Sequence, residues 1–201
     1  RHHPVEALEQ TATWCRRALL LTDPLIARHS TIATKGRLSP GIYEQVIQDN
    51  RYRKWLDSSK EGDKDRDSRL LWISPSLGTD ATKLSVFLTE ELERHIAAVE
   101  NAELVFFFCN RSKDTNNTST IVLYGLISQI VTKRPVLRHL VYRSLQQLEE
   151  IQEHLEAAQR SERPFEETPE MFKILWDVFS TLIRAPELGT MFCVIHGLDK
   201  C

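Results

Sequence analysis

The sequence is short of most features that announce a particular chemistry. No apolar run among its 201 residues approaches the roughly 18 needed for a membrane span. The opening "RHHPVEALEQ" has neither an initiator Met nor the apolar core of a signal peptide, so the chain reads as a fragment. Charge of neither sign prevails: 26 Lys and Arg against 28 Asp and Glu, mixed along the chain, exclude a nucleic-acid footprint and a polybasic membrane surface. Neither nucleic acid nor membrane is therefore expected as a partner. The four cysteines, Cys15, Cys109, Cys193 and Cys201, form no CxxC pair, and the scattered histidines offer no zinc spacing. No metal site is expected. Cys109 and Cys193 close apolar runs, where a small buried hydrophobe is expected, and the whole pattern suits a reducing, cytoplasmic setting. Ser74 and Ser76 lack a nearby base and the G-x-S-x-G frame, which excludes a hydrolase elbow.

With 41% hydrophobic and 27% charged residues, the chain can nevertheless bury a core. Residues 5–21 place Val5, Leu8, Ala12, Cys15 and Leu19 on one helical face, and "TDP" ends that helix. From Leu38 to Ser58, Ile42, Val46, Ile47, Tyr52, Trp55 and Leu56 anchor two short helices split near Asp49 and Asn50. The run "SSKEGDKDRDS" has no apolar residue and reads as a solvated linker. It separates a helical annex and linker, residues 1–68, from a main domain, residues 69–201. In the main domain "RLLWIS" reads as a buried strand with Trp72 in the core, and residues 82–99 as an amphipathic helix. "ELVFFFC", residues 103–109, is apolar throughout and too short for a helix, as a parallel strand covered on both faces should be. Helices follow at residues 120–132, 137–160 and 165–183, and "TMFCVI" is the last strand. The near-heptad repeat of residues 137–160 is read as a helix lying across its own domain. The sequons at Asn110, Asn116 and Asn117 are read as accidental in a cytosolic chain, with the Asn-Thr pair better suited to capping a helix.

"LLWISPSLGTDATKLSVFL", residues 70–88, has the layout of strand, turn and helix that a phosphate-binding loop requires. "CVIHGLDKC", residues 193–201, ends a second strand where carboxylates would hold magnesium and orient water. Together with "TDP", "KGRL", "IYEQVI", "YRKWL", "VFFFCNR" and "IVLYGLISQIV", these segments make the chain resemble the NACHT-type P-loop NTPases of the STAND class. The resemblance is to the fungal group with a nephrocystin-3-like N-terminal region, known from heterokaryon-incompatibility proteins. It covers nearly the whole chain. The implied fold is α/β, a three-layer P-loop NTPase-type parallel sheet preceded by the small helical annex, with residues 69–201 forming the first half of the NACHT-like domain. In the family a further strand inserts between the P-loop strand and the Walker B strand. The three strands here either close up as a small sheet or leave a gap.

The same resemblance implies the site residues, and most of them depart from the family. The loop remnant is Pro75, Gly78, Thr79, Asp80, Ala81 and Thr82. Pro75 falls on the first glycine, Asp80 on the second, Ala81 on the lysine and Thr82 on the retained hydroxyl. Pro75 has no N–H, while Asp80 puts a Cβ and a negative charge where backbone must approach phosphate. Losing the lysine forfeits a charge-assisted contact worth about 1.5–3 kcal/mol. Lys83 lies roughly 200° around the helix from Ala81 and is a poor substitute. At the Walker B end His196 stands at the first acidic position, Asp199 is kept and Lys200 replaces the glutamate. No catalytic residue and no cofactor are expected, and hydrolysis is not. The expectation is a nucleotide-binding-deficient module, acting through other domains of the same protein or oligomer neighbours. The alternative is an NTPase switch with residual ATP or GTP binding, Thr82 and Asp199 meeting magnesium.

Overall fold

The computed structural model describes residues 13, 23–37, 39–57, 70–74, 80–109, 118–158 and 168–200, and among these the side chains of all but 40, 42, 43, 149, 152–158 and 200. The chain divides into two compact units, Arg28–Glu100 and Asn101–Cys201 with Arg1–Ala27. The expected helix at residues 5–21, the linker at 58–68 and the sequons at Asn110, Asn116 and Asn117 lie outside the described residues, apart from a helical Thr13.

The first unit is helical, and the helix that leads into it has its last eight residues there. Helix α1, Pro24–Lys35, starts where the Asp23 carboxylate accepts hydrogen bonds from the N–H groups of Leu25 (2.9 Å) and Ile26 (3.2 Å), with Pro24 as the first helical residue. The Asp-Pro pair was read above as a stop for the preceding segment; it is also the start of this one. Gly36, at φ +74°, ends α1 and donates its N–H to Ile32 O. Helices α2, Pro40–Gln48, and α3, Asn50–Asp57, are split at Asp49, as the sequence suggests. Helix α4 spans Ala81–Ile96. Tyr52, Leu84, Phe87 and Leu88 form the core of this unit, with Val46, Ile47, Trp55, Leu56 and Leu71 packed against them.

The strand expected at "RLLWIS" does not form. Residues 70–74 carry no strand, and Leu70 and Trp72 are 80% and 74% exposed. A strand exists only through ladder partners for its N–H and C=O groups, and this apolar segment finds none among the described residues. Only Leu71 packs into a cluster.

The second unit is α/β. Strand β1, Ala102–Phe108, pairs in parallel with β2, Thr190–His196, in a two-stranded sheet with Val105 opposite Cys193. Between them come α5, Ser119–Lys133, α6, Arg138–Ala158, and α7, Pro169–Leu182. Thr118 and Thr168 cap α5 and α7, their hydroxyls accepting from the N–H groups of Ile121 and Met171. Helix α5 is buried along nearly its whole length, so its apolar residues run all round it. Its one buried amide has a purpose. Gln129 Oε1 accepts from Phe106 N–H at 3.1 Å and its Nε2 donates to Phe106 O at 2.9 Å, sealing the β1 edge that faces away from β2. At the start of β2, Gly189 sits at φ +69° against Asn101, where an added Cβ would meet the Asn101 carbonyl oxygen at 2.5 Å.

Both faces of β1 are buried, but β2 is covered on one only. Cys109 is buried as expected, whereas Cys193 is exposed. Cys193 shares its face of β2 with the exposed Ile195, while Val105 and Phe107, opposite these two on β1, lie in the core cluster with α5, α6 and α7.

Candidate functional site

The loop remnant shapes the N-terminus of α4. Pro75, Gly78 and Thr79 lie outside the described residues, and Asp80, Ala81 and Thr82 are inside. Asp80 is the N-cap of α4, in extended conformation at φ −73° and ψ 106°. Its Oδ1 accepts from the N–H of Thr82 at 2.9 Å and of Lys83 at 3.4 Å. These are first-turn amides of the kind that otherwise point at a bound anion. An internal carboxylate therefore occupies the helix N-terminus, where the macrodipole favours negative charge. Burial alone would raise the Asp80 pKa, but the Thr82 N–H and the charge of Lys35 outweigh it and hold the carboxyl below its ordinary 3.8.

A cation completes the cluster. Lys35, the last residue of α1, donates from Nζ to Thr82 Oγ1 at 3.1 Å and lies 3.7 Å from Asp80 Oδ2. The hydroxyl that the resemblance assigns to magnesium is thus met by an ammonium group from the same chain. Two arginines further hold α1 and the turn after it on α4. Arg28, largely buried, donates to Glu93 at 2.7 Å and to Thr89 Oγ1 at 3.4 Å, and Arg37 pairs with Glu90. Sequence reading did not assign Lys35 a role. It stands 45 positions before Asp80, and the one local signal is the helix-terminating "KG" that fixes where the lysine ends up.

Ala81 opens the helix with a methyl group where a long cation would be needed. Lys83 lines a cavity on another side of α4 together with Val86, Phe87 and Glu90.

The Walker B remnant belongs to the other unit. His196, the last residue of β2, is buried, with its ring edge-on to Phe108 at 6.0 Å between centroids. An aromatic contact fills the position of the first carboxylate. Gly197, at φ +78°, turns the chain into the short 3-10 segment Leu198–Lys200, which carries Asp199 exposed; the side chain of Lys200 is not described. Among the described residues no group of three His, Cys, Asp or Glu side chains could hold a metal ion, and no helix is long and apolar enough to cross a membrane.

Comparison with known proteins places these remnants in a family. The chain is 28% identical over 187 residues to the vegetative incompatibility protein HET-E-1 of Podospora anserina, an alignment covering 93% of this chain and 12% of that protein. The chain spans about an eighth of the length of this relative. No solved structure matches. The model of the family described as "Nephrocystin 3, N-terminal" matches residues 41–201, from α2 through the Walker B remnant, and the chain belongs to that family as a NACHT-like region.

Proposed function

We propose that this chain is the first half of a NACHT-like domain that keeps the three-layer P-loop scaffold in its full-length protein and no longer binds nucleotide. The observation that carries the reading is the Asp80 carboxylate on the N–H groups of Thr82 and Lys83, with Lys35 on the Thr82 hydroxyl. A phosphate arriving there must displace an internal anion from the amides and approach it within about 4 Å. At an effective dielectric of 20 that repulsion alone amounts to about 4 kcal/mol, which turns a micromolar site into a millimolar one. ATP or GTP with magnesium does not fit the described residues of the loop as they stand, because the Thr82 and Lys83 amides and the Thr82 hydroxyl are already engaged.

The domain then acts through contacts, with other domains of its own protein or with neighbours in an oligomer, as a regulatory module of cytoplasmic signalling. The similarity to a vegetative incompatibility protein supports a part in fungal non-self recognition. Isothermal titration of the 201-residue chain with Mg-ATP and Mg-GTP tests the proposal. No heat of binding is expected up to about 1 mM nucleotide. A micromolar dissociation constant, or phosphate release abolished by Thr82→Ala, refutes it and supports the residual NTPase switch.

A further inference from the structure

Within the helical unit a cavity of about 310 Å³ opens beside α4. Its apolar wall is made by Ile47, Val86 and Phe87, the first and last of which belong to the core cluster of the unit. Its polar wall carries three cations and two carboxylates. Arg37 is paired with Glu90, and Arg94 with Glu91 at 2.6 Å, so two of the cations are neutralised in place. Lys83 shows no ion pair among the described residues, and it stands on the first turn of α4 with its side chain lining the cavity. The cavity therefore combines an aromatic and aliphatic surface with one positive charge unmatched among the described residues. Tyr52, 4% exposed and with a hydroxyl that has no hydrogen-bond partner among the described residues, lies in the same cluster as Phe87, with Ile47 packed against it.

We propose that this cavity is a binding site for a small amphipathic monoanion, a carboxylate or sulfonate on a flat apolar body, with Lys83 meeting the charge and Phe87 and Val86 the body. The charge count favours an anion, because a cation would face Lys83 unscreened and a neutral apolar molecule would leave the ammonium partly desolvated. A dianion is disfavoured: the second charge would have to open the Arg37–Glu90 or Arg94–Glu91 pair. The volume lies at the lower end of ligand pockets and accommodates a bicyclic body of about 14 heavy atoms. The site joins α2 to α4, since Ile47 lies on the former and Lys83 and Phe87 on the latter, so an occupant would hold the two helices together. This is independent of the nucleotide reading. It uses the side chain of Lys83 and not the Asp80 cluster, and either can fail alone.

The probe is naphthalene-2-sulfonate, with neutral naphthalene-2-sulfonamide as its partner, each titrated into the 201-residue chain by calorimetry and ligand-observed NMR. At about 0.3 kcal/mol per heavy atom the sulfonate should bind with a dissociation constant near 1 mM, and the sulfonamide about tenfold more weakly. Lys83→Glu should weaken the sulfonate at least tenfold while Lys83→Arg keeps it, and circular dichroism should show both variants folded. The exposed aromatic ladder of α7, where Phe172 stacks on the 51% exposed Trp176, is the competing place for an aromatic probe. Trp176→Ala should leave binding unchanged. No binding at 10 mM, equal affinity for the neutral analogue, indifference to Lys83→Glu or loss with Trp176→Ala would each overturn the assignment.

Discussion

Replacing Asp80 with alanine removes two things at once: the acceptor for the N–H groups of Thr82 and Lys83, and the carboxylate beside Lys35. The first dominates. Loss of an Asp N-cap costs about 1 kcal/mol, within a range of 0.5–2. The Lys35 contact, at 3.7 Å between side chains 48% and 35% exposed, is screened by water and adds a few tenths at most. Asp80→Ala should therefore destabilise the chain by about 1–1.5 kcal/mol, which for roughly 200 residues lowers Tm by about 2–6 °C. Asp80→Asn keeps the cap and should cost less than about 0.5 kcal/mol; Asp80→Gly should cost only a few tenths more than that. The pH dependence follows from the depressed pKa. A carboxyl held below 3.8 contributes its ionic share fully above that value and loses it as pH falls through the folded-state pKa. The gap between wild type and Asp80→Ala should stay constant from pH 7 to about 4 and narrow only in stronger acid. Urea titrations followed at 222 nm, together with thermal melts, measure all three variants. If Asp80→Ala matches wild type within about 0.3 kcal/mol, or Asp80→Asn is as damaging as Asp80→Ala, the capping account is wrong.

The loop itself is tested by reversion: Pro75→Gly, Asp80→Gly and Ala81→Lys together should produce nucleotide binding by calorimetry, whereas Ala81→Lys alone should not, because Asp80 would pair with the new lysine. Turnover should additionally require His196→Asp and Lys200→Glu, since these carboxylates hold magnesium and the attacking water; phosphate release from the triple variant alone would contradict this. Gln129→Leu strips partners from the N–H and C=O of Phe106, so chemical denaturation should show a loss of roughly 2–5 kcal/mol, and a loss below about 1 would mean the edge is satisfied otherwise. Tyr52→Phe should be neutral or slightly stabilising at pH 7, because the buried hydroxyl has no partner. Burial, with help from Glu91, pushes the Tyr52 pKa up to about 12, so stability tied to the protonated phenol is complete below pH 10 and is lost as pH rises toward 12. The Phe variant should resist alkaline unfolding by up to about 2 kcal/mol relative to wild type, and equal alkaline midpoints would refute the assignment.

Much of the fold is local information. The apolar spacing of α4 to α7, the aromatic run of β1 and the Thr caps are written in consecutive residues, because a helix or strand face is decided by periodicity and by the group next to it. The site expectations are local too: the resemblance assigns Pro75, Asp80, Ala81, His196 and Lys200 to positions where it implies other residues, one position at a time. Helix α1 shows the limit, for "TDP" serves as a stop and a start in the same three residues, and apolar pattern alone does not separate them.

The rest depends on what comes together across the chain. Residues 70–74 are apolar enough for a strand, yet they are not one, because a strand is a property of a pair and no partner among the described residues supplies the ladder. Cys193 is as apolar as Cys109, but among the described residues Cys109 lies in the core cluster and Cys193 does not. Gln129 reads as an ordinary polar residue of α5 until Phe106 arrives beside it with an unpaired edge. The sequence by itself determined the apolar faces of the helices and, through the resemblance, the expectation that the family's phosphate ligands are absent from the loop. That Asp80 caps α4 in their place, with Lys35 brought from the end of α1 to balance it, was decided by the tertiary structure, since the hydrogen bonds and charges concerned act over ångströms between residues far apart along the chain.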